Sequence, residues 1–391
     1  MTIGRWRRQA AVMAVAAVLA ASCSDDDTNT SGSDPTVLAS STTTTTTSVQ
    51  ATPSPRLNEI QVVGSHNSYH VAPDPALYDI IAPLVTDGGD NAAEWLYTHA
   101  PLDQQLDRGV RSFELDVFAD PDGGLFLEPQ APVLFDLPQR PDPVLAEPGW
   151  KVLHVQDIDF ETTCPTLIGC LETIEAWSDA NPDHEPIPIL IEVKNQPLPE
   201  GFDLTPVVED IDAAVLDTLD AEIRSVFDPD DVIEPDEVRG DATSLVEAIE
   251  NDGWPAVEES LGQVYFVMDN GGDIDAAYRD GTPQLEGRVL FTSAGTDRSD
   301  GAVVKLNDPE DGATICAAVV EGRIVRTRAD AGLVIDEDRR DLALATGAQI
   351  VSTDFPPGEA DAATGYVVEL PDGASSRAVS EARASAEVCG G

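Results

Sequence analysis

Eight short apolar runs rich in β-branched residues recur along the chain, and they constrain its fold more than any other feature of the sequence. Several are apolar almost without interruption, which is typical of parallel strands covered on both faces. The runs span residues 59–63, 112–117, 151–155, 187–193, 264–268, 288–291, 322–325 and 348–352. Helical patterns separate many of them, and they predict helices over 166–178, 205–224, 244–261, 311–320 and 336–345.

This alternation of eight strands with helices predicts an α/β fold of the (β/α)₈ TIM-barrel type, regular or distorted, in a single catalytic domain. An open doubly wound sheet is the alternative, but the sequence has no glycine-rich phosphate turn after its first strand. In a barrel of this type, catalytic residues lie at the carboxyl ends of the strands. The polar residues that follow the apolar runs are therefore candidate site residues.

The N-terminal residues predict export. Arginines near the start precede an apolar stretch from Ala10 to Ala21, which is too short to span a bilayer and is typical of a secretory signal. The run Leu19-Ala20-Ala21-Ser22-Cys23 is similar to a bacterial lipobox, so residues 1–23 are predicted to be a lipoprotein signal with Cys23 lipidated. An ordinary signal peptide with a chance cysteine is the alternative. We expect a cell-surface lipoprotein anchored through Cys23, or a secreted protein.

Residues 24–55 are mostly Ser, Thr, Asp and Pro, and they cannot bury enough apolar surface to offset the entropy of ordering. They are predicted to form a disordered tether, and residues 56–391 are predicted to form the catalytic barrel. The whole chain has 72 acidic and 22 basic residues, a formal net charge of −50. Such a surface repels nucleic acid, so we expect no nucleic-acid partner. We expect a monomer.

Five cysteines in an exported chain leave one unpaired, and Cys23 accounts for it if that residue carries lipid. Cys164 and Cys170 flank a short loop that enters a predicted helix, so they form a natural disulfide pair. Cys316 and Cys389 would then pair, although the sequence alone leaves other connectivities open. A zinc site is not expected because no CxxC spacing is present.

Two histidines follow predicted strands directly, and they suit phosphodiester cleavage. His66 comes after the first apolar run, and His154 ends the third. Such a reaction needs a base for the attacking hydroxyl and an acid for the leaving oxygen. The imidazole side chain titrates near neutral pH and can take either role. We therefore predict His66 and His154 as the catalytic pair, whereas a single histidine at a strand end would more often be structural.

Four oxygen-bearing side chains stand at the ends of three predicted strands, and they favour a calcium site. They are Asn67, Glu114, Asp116 and Glu192. Carboxylates and carboxamides at irregular angles are typical Ca²⁺ ligands. A bound Ca²⁺ ion would also offset the anionic surface where a phosphate must lie. Lys194, two residues beyond Glu192, could neutralise charge on the substrate as well.

Six blocks of sequence resemble a known family, the secreted bacterial calcium-dependent phosphatidylinositol-specific phospholipases C. The resemblance extends from about residue 57 to residue 356. The blocks are GSHNSYH (64–70), YTHAPLDQQLDRGVRSFELDVF (97–118), KVLHVQDIDFETTC (151–164), PILIEVKN (188–195), VRTRAD (325–330) and GAQIVSTDFP (347–356). Any one block would be weak, but six in this order are specific.

The resemblance implies a TIM-type barrel with His66 and His154 as general base and acid. It also implies calcium held by Asn67, Glu114, Asp116 and Glu192. The expected reaction at a membrane surface converts phosphatidylinositol to diacylglycerol and a cyclic inositol phosphate. Arg326 and Arg328 are candidate ligands of the phosphate or inositol, although Arg328 could instead pair with Asp330 or Asp354.

Two other functions compete with this interpretation. Glycerophosphodiester phosphodiesterases share the barrel, two histidines and a Glu-x-Asp metal pair, and they act on soluble substrates. They usually have His-Arg-Gly after the first strand, where this chain has His66-Asn67-Ser68. An inactive surface lipoprotein is the second alternative. The retention of both histidines and of all four predicted calcium ligands argues against it.

Overall fold

A computed structural model describes residues 54–85, 92–197, 205–293 and 295–384 of the 391-residue chain. The predicted signal, nearly all of the predicted tether, and Cys389 lie outside the described residues. Within them, no helix combines the length and the apolar character that crossing a membrane would require.

Ten strands are present in the described residues, and eight of them form the barrel wall. These eight are β1 (Ile60–Ser65), β2 (Phe113–Phe118), β4 (Ile187–Lys194), β5 (Val264–Met268), β6 (Leu290–Thr292), β7 (Val303–Lys305), β8 (Ile324–Arg328) and β9 (Ile350–Thr353). The parallel order β2-β4-β5-β6 makes one half of the wall, and β1-β9-β8-β7 makes the other. Most of their residues are buried, as the apolar runs predict.

Two parallel bridges join the halves into a closed ring. Gly64 of β1 pairs with Ser112 before β2, and Ser293 after β6 pairs with Val303 of β7. The β1–β2 approach is so close that a Cβ at position 64 would lie 2.6 Å from the Ser112 Cβ, which only glycine avoids. The predicted (β/α)₈ TIM-type barrel is therefore confirmed.

One predicted barrel strand was wrong, and one real barrel strand was not predicted. The run at 151–155 contributes only β3 (Lys151–Val152), which pairs antiparallel with β2 outside the ring. The eighth position in the ring belongs to β7, a three-residue strand that is too short to give a clear pattern. The last strand, β10 (Ser376–Ala378), is antiparallel to β1 and also lies outside the ring.

Helices connect the strands around the barrel. In the described residues they are α1 (Pro75–Val85), α2 (Leu102–Asp107), α3 (Gln130–Leu134), α4 (Leu167–Ala180), α5 (Ala213–Val226), α6 (Pro235–Arg239), α7 (Leu245–Asn251), α8 (Gly272–Tyr278), α9 (Gly312–Val320), α10 (Glu337–Ala345) and α11 (Val379–Ala384). N-cap side chains determine where several helices begin. Thr166 accepts a hydrogen bond from the Gly169 amide at the start of α4, and Asp336 accepts one from the Arg339 amide at the start of α10.

Two predicted helices were too long. The helix predicted from residue 205 begins only after Asp212, whose side chain caps the Val215 amide. Thr205 instead donates from its amide and hydroxyl to Asp157, each at 2.7 Å, which fixes it to another loop. The helix predicted over 244–261 ends at Asn251, because Gly253 has a φ of +76° and the chain turns there.

Cys164 and Cys170 form a disulfide, as predicted. It closes the loop that leads into α4. The predicted pairing of Cys316 with Cys389 stays a prediction, since Cys389 lies outside the described residues.

Candidate active site

Most of the predicted site residues meet at one cleft at the carboxyl ends of the barrel strands, with a volume of about 1090 Å³. The cleft is lined by His66, Asn67, His154, Glu192, Lys194, Arg328 and Asp354, among others. Glu114 and Asp116 lie deeper, buried in the barrel. The chain therefore brings together polar groups that are up to 288 residues apart in sequence.

His66 is held by the turn that follows β1. Its amide donates to the Thr353 carbonyl at 2.9 Å, and its own carbonyl accepts from His99 Nε2 at 3.0 Å. The next residue, Asn67, has a φ of +45°, a left-handed conformation that asparagine tolerates better than most residues. This turn ends the strand and points the His66 ring into the cleft, where the side chain is 21% exposed.

A carboxylate fixes the His66 tautomer. Nδ1 lies 2.8 Å from Asp354 Oδ1, and Nε2 lies 3.8 Å from Glu114 Oε1. Asp354 also accepts hydrogen bonds from Arg328 and from the Leu333 amide. Because the ionised carboxylate can only accept, Nδ1 carries the hydrogen, and the lone pair stands on Nε2 in the neutral ring.

Burial and the nearby Arg328 guanidinium lower the pKa of His66, and they outweigh the opposing effects of Glu114 and Asp354. Burial raises the pKa of Asp354, but its contacts with His66 and Arg328 prevail and hold it below the usual range. At neutral pH, His66 is therefore a neutral imidazole beside an ionised carboxylate. That is the state that a general base requires.

His154 lies just beyond β3 and has a carboxylate partner of its own. Nδ1 is 2.6 Å from Asp159 Oδ2, and the side chain is 22% exposed to the cleft. A tight turn brings the two together, since Val155 and Asp159 exchange backbone hydrogen bonds at 2.8 and 3.0 Å. The ring also lies edge-on to Trp95.

The pKa of His154 moves in the opposite direction to that of His66. Burial lowers it, but the hydrogen bond and charge of Asp159, with the charge of Asp116, raise it above its usual value. The two histidines at the cleft thus have pKa values displaced in opposite directions by their environments. Such a difference is typical of an acid and a base that act together.

Three carboxylates approach one another on the floor of the cleft. Oxygens of Glu114, Glu192 and Asp269 all lie within 4.8 Å of each other. The register of β2 on β4 places Asp116 directly opposite Glu192, and Glu114 is two residues earlier on the same strand face. Asp269 follows β5, with its amide bonded to Ile191 of β4 at 2.8 Å.

The charged form is disfavoured in three of the four carboxylates Glu114, Asp116, Glu192 and Asp269. Burial, first of all, raises the pKa of Asp116, Glu192 and Asp269, and neighbouring carboxylates raise each of them further. Glu114 differs, because Arg326 and His66 outweigh the effect of its burial and lower its pKa to about 2. Asp116 Oδ1 and Asp269 Oδ1 are buried and have no hydrogen-bond partner among the described residues. Bare carboxylate oxygens in mutual repulsion match the donor set that a divalent cation needs.

Cationic side chains surround this cluster. Lys194 Nζ lies 3.0 Å from both Asp116 and Glu192, and Lys305 contacts Asp269. Arg326 is only 3% exposed and contacts Glu114 and Asn307. Arg328 reaches the cleft and binds Asp354 at 3.1 Å, as one of the sequence alternatives predicted. Of the two arginines, only Arg328 lines the cleft where a substrate would lie.

A family model for the calcium-dependent phosphoinositide phospholipases C matches residues 55–379, most of the chain. The chain belongs to this family. The resemblance stated from its six sequence blocks is therefore confirmed, and so is calcium as the cofactor of the family. No curated protein matches the sequence significantly.

Solved structures of bacterial phospholipases C are similar to this phospholipase C family member. A calcium-dependent phosphoinositol-specific phospholipase C from a Pseudomonas species is 16% identical, with a TM-score of 0.52 over 83% of this chain and 95% of that one. Its myoinositol complex matches equally well. A calcium-dependent enzyme from Streptomyces antibioticus is 19% identical, with a TM-score of 0.49 over 76% of this chain and 94% of that one.

Sequence reasoning assigned no role to His70 and His99, which the phospholipase places directly behind the cleft. His70 binds Asp159, and His99 binds Glu359 as well as the His66 carbonyl. Asp159 itself was not singled out, although it stands five residues after His154 in the block KVLHVQDIDFETTC. The third histidine without a role, His184, binds Ser178 and the Glu185 carbonyl.

Proposed function

We propose that this protein cleaves phosphatidylinositol to diacylglycerol and a cyclic inositol phosphate, with calcium as cofactor. The observation that carries the proposal is the pair of cleft histidines, each bound through Nδ1 to its own carboxylate. Neither Nε2 has a hydrogen bond to the described residues, so both are available to a substrate. Membership of the family supports the substrate class.

In the first half of the reaction, His66 acts as base. Its Nε2 takes the proton of the inositol hydroxyl next to the phosphate, and the hydroxyl oxygen forms a new bond to phosphorus. The imidazolium that results is stabilised by Asp354, which lies 2.8 Å from Nδ1. The lowered pKa of His66 keeps the ring neutral before this step.

In the second half, His154 acts as acid. As the bond between phosphorus and the diacylglycerol oxygen breaks, Nε2 gives its proton to that oxygen, and the ring becomes neutral. Burial lowers the pKa of His154, but the hydrogen bond and the charge of Asp159 outweigh burial and raise it above its usual value. The raised pKa favours a protonated His154 before this step. The products are diacylglycerol and the cyclic phosphodiester, with no net gain or loss of protons.

Calcium would be held by Asn67, Glu114, Asp116 and Glu192, and Asp269 is a further candidate ligand because its carboxylate lies within 4.8 Å of those of Glu114 and Glu192. The carboxylate oxygens of Asp116 and Asp269 that find no hydrogen-bond partner in the described part of the chain fit such a role. When bound, calcium supplies positive charge to the phosphate as negative charge develops on its oxygens. Arg328 and Lys194 line the same cleft and add positive charge for an anionic substrate. We assign them to substrate binding, and we assign Arg326 to holding Glu114.

The test is an assay of purified protein on phosphatidylinositol vesicles, with glycerophosphoinositol as the soluble comparison. We expect cleavage of the lipid, a cyclic phosphate product visible by ³¹P NMR, and loss of activity in EGTA that calcium restores. Activity on the soluble diester alone would favour the glycerophosphodiester alternative. Absence of activity on both substrates with calcium present would favour an inactive surface protein.

We also propose the domain organisation that the sequence predicts: a lipoprotein signal at residues 1–23, a tether at 24–55 and the catalytic barrel at 56–391. The lipobox-like run before Cys23 supports anchoring to a membrane. A tether of this length would have a root-mean-square reach of ~30 Å if it behaved as a flexible coil, which would let the barrel turn toward lipid. The proposed enzyme would act as a monomer on a lipid surface.

Replacing Cys23 by alanine is expected to release the protein from the membrane fraction and leave its activity on dispersed substrate unchanged. The thioether-linked lipid would be lost, while the barrel is untouched. Cell fractionation and labelling with a fatty acid check this result. Ser24→Ala is the matched control, because it keeps the cysteine and should remain bound and labelled. A Cys23→Ala protein that still sediments with membranes would contradict lipid anchoring.

A further inference from the structure

A second cavity lies beside the cleft, and no step of the proposed reaction uses it. Its volume is about 300 Å³, which is within the range of small-molecule sites. Most of its lining comes from the segment between β2 and β4, the same segment that carries His154. We call this cavity the apolar pocket, and its lining includes Leu77, Phe126, Leu127, Leu137, Leu145 and Phe160.

The apolar pocket and the catalytic cleft share a wall. Gln156, which is only 3% exposed, lines both cavities. Phe118 of the cleft contacts Phe126 of the pocket, with ring centroids 5.3 Å apart. Leu153, the residue before His154, also lines the pocket. The pocket is therefore next to the histidine that we assign as the acid for the leaving oxygen.

The buried polar side chains of the pocket wall hydrogen-bond to the protein itself. Asp157 accepts from the Gln130 amide at 2.6 Å, and from the amide and the hydroxyl of Thr205 at 2.7 Å each. The Gln156 side chain donates to the Gln196 carbonyl at 3.2 Å. A hydrocarbon could fill the pocket without breaking any of these bonds, so the lining suits an apolar ligand.

Aliphatic side chains are exposed near the mouth of the pocket. The mouth is marked by lining residues 139, 140 and 142, which are exposed to solvent. Val133 and Leu134 follow the lining residue Pro132, and Val144 precedes Leu145. These three aliphatic side chains are 51%, 64% and 40% exposed. A hydrocarbon chain that arrives from a lipid layer would meet apolar surface before it enters the pocket.

We propose that the apolar pocket binds one acyl chain of the lipid substrate while the inositol phosphate lies in the cleft. The inference rests on the proposed function, because diacylglycerol is the leaving group that His154 would protonate. A substrate in this position has its glycerol beside His154, and one of the attached chains passes Gln156 into the pocket. The other chain stays in the lipid layer. Recognition then extends beyond the headgroup to the length of one chain.

The first measurement is the dependence of kcat/KM on acyl chain length. Phosphatidylinositols with two identical chains of four to eight carbons are compared below their aggregation concentrations, which light scattering verifies. Each methylene that enters the pocket should raise kcat/KM by up to about fourfold, because it leaves water for an apolar environment.

Filling the pocket should remove this dependence. Leu145→Trp and Leu127→Trp each place an indole ring in the pocket. In either variant the ratio of kcat/KM for the eight-carbon and four-carbon substrates should fall by about tenfold, which corresponds to the exclusion of about two methylenes. Val320→Trp is the matched control, because Val320 is 70% exposed on α9 and lines neither cavity. It should keep the ratio of the unaltered protein. Circular dichroism verifies that each variant is folded.

The second measurement locates the chain without catalysis. Dihexanoylglycerol that carries a diazirine at the end of one chain is bound to the unaltered protein and irradiated, and the labelled peptides are identified by mass spectrometry. We expect labels within residues 126–145 and 152–163, which supply most of the pocket lining. Leu145→Trp should lose most of this labelling, whereas Val320→Trp should keep it.

The outcomes separate this inference from the proposed function. Cleavage that does not depend on chain length, or that depends on it equally in the filled variants, would overturn the inference and leave the proposed function in place. Labels outside the pocket would overturn it too. Absence of cleavage with every phosphatidylinositol would contradict the proposed function instead, and the labelling would then still decide whether the pocket accepts an acyl chain.

Discussion

Alanine at His66 or at His154 is expected to lower kcat on phosphatidylinositol by about 10²-fold or more, because each change removes a proton-transfer group from the transition state. Both side chains are about one-fifth exposed, so their removal should leave the barrel folded. Combining the two changes should cost much less than the product of the single effects, since the two groups act as a unit.

A change of leaving group separates the two roles. An inositol phosphodiester that releases p-nitrophenolate needs no proton on its leaving oxygen. His154→Ala should therefore recover most of its activity on this substrate, whereas His66→Ala should not. His184→Ala is the control histidine and should behave like the unaltered protein on both substrates. Recovery of His66→Ala in place of His154→Ala would reverse the assignment of acid and base.

Replacing Glu114 by glutamine is expected to weaken calcium binding by about 10- to 100-fold, since it removes one negative charge from the predicted ligand set. Glu114 has a pKa of about 2, because Arg326 and His66 outweigh its burial, so it is ionised throughout any practical assay range. Isothermal titration with calcium measures the change directly. The variant should also unfold at lower temperature, because Arg326 keeps a buried charge without its carboxylate partner.

Glu209→Gln is the matched control for this measurement. Glu209 lines the same cleft and is exposed, but it belongs to no carboxylate cluster among the described residues. Its replacement removes the same charge from the cleft rim and should change calcium affinity by less than about twofold, since exposed charges are well screened. Equal affinities for Glu114→Gln and the unaltered protein would exclude Glu114 as a ligand.

The barrel was predictable because parallel strands that are covered on both faces have almost continuously apolar sequences. Seven of the eight predicted runs are barrel strands. The exceptions have physical reasons. Val303–Lys305 is too short to show any period, yet it completes the ring through the pairing of Val303 with Ser293. Lys151–Val152 is as buried as a barrel strand, but its partner runs antiparallel, and orientation cannot be read from a burial pattern.

The cleft was predictable where function requires particular residue types directly after strands. His66 and Asn67 follow β1, Glu114 and Asp116 lie in β2, and these positions converge because strand ends share one edge of the barrel. The partners of the histidines were harder to identify. Asp159 and Asp354 resemble the many other carboxylates of this acidic chain, and only the folded arrangement selects the two that lie against an imidazole.

Different parts of the fold hold the two histidines: the closed ring holds His66, and the segment between β2 and β4 holds His154. His66 stands where Gly64 pairs with Ser112 to close the barrel, and its amide is bonded to β9, so its position is fixed by the ring itself. His154 is carried by a segment outside the ring, tied by the Cys164–Cys170 disulfide and by a bridge from His70 to Thr162. Sequence changes in the segment between β2 and β4 can therefore alter the distance between base and acid without disturbing the strand pairing of the barrel.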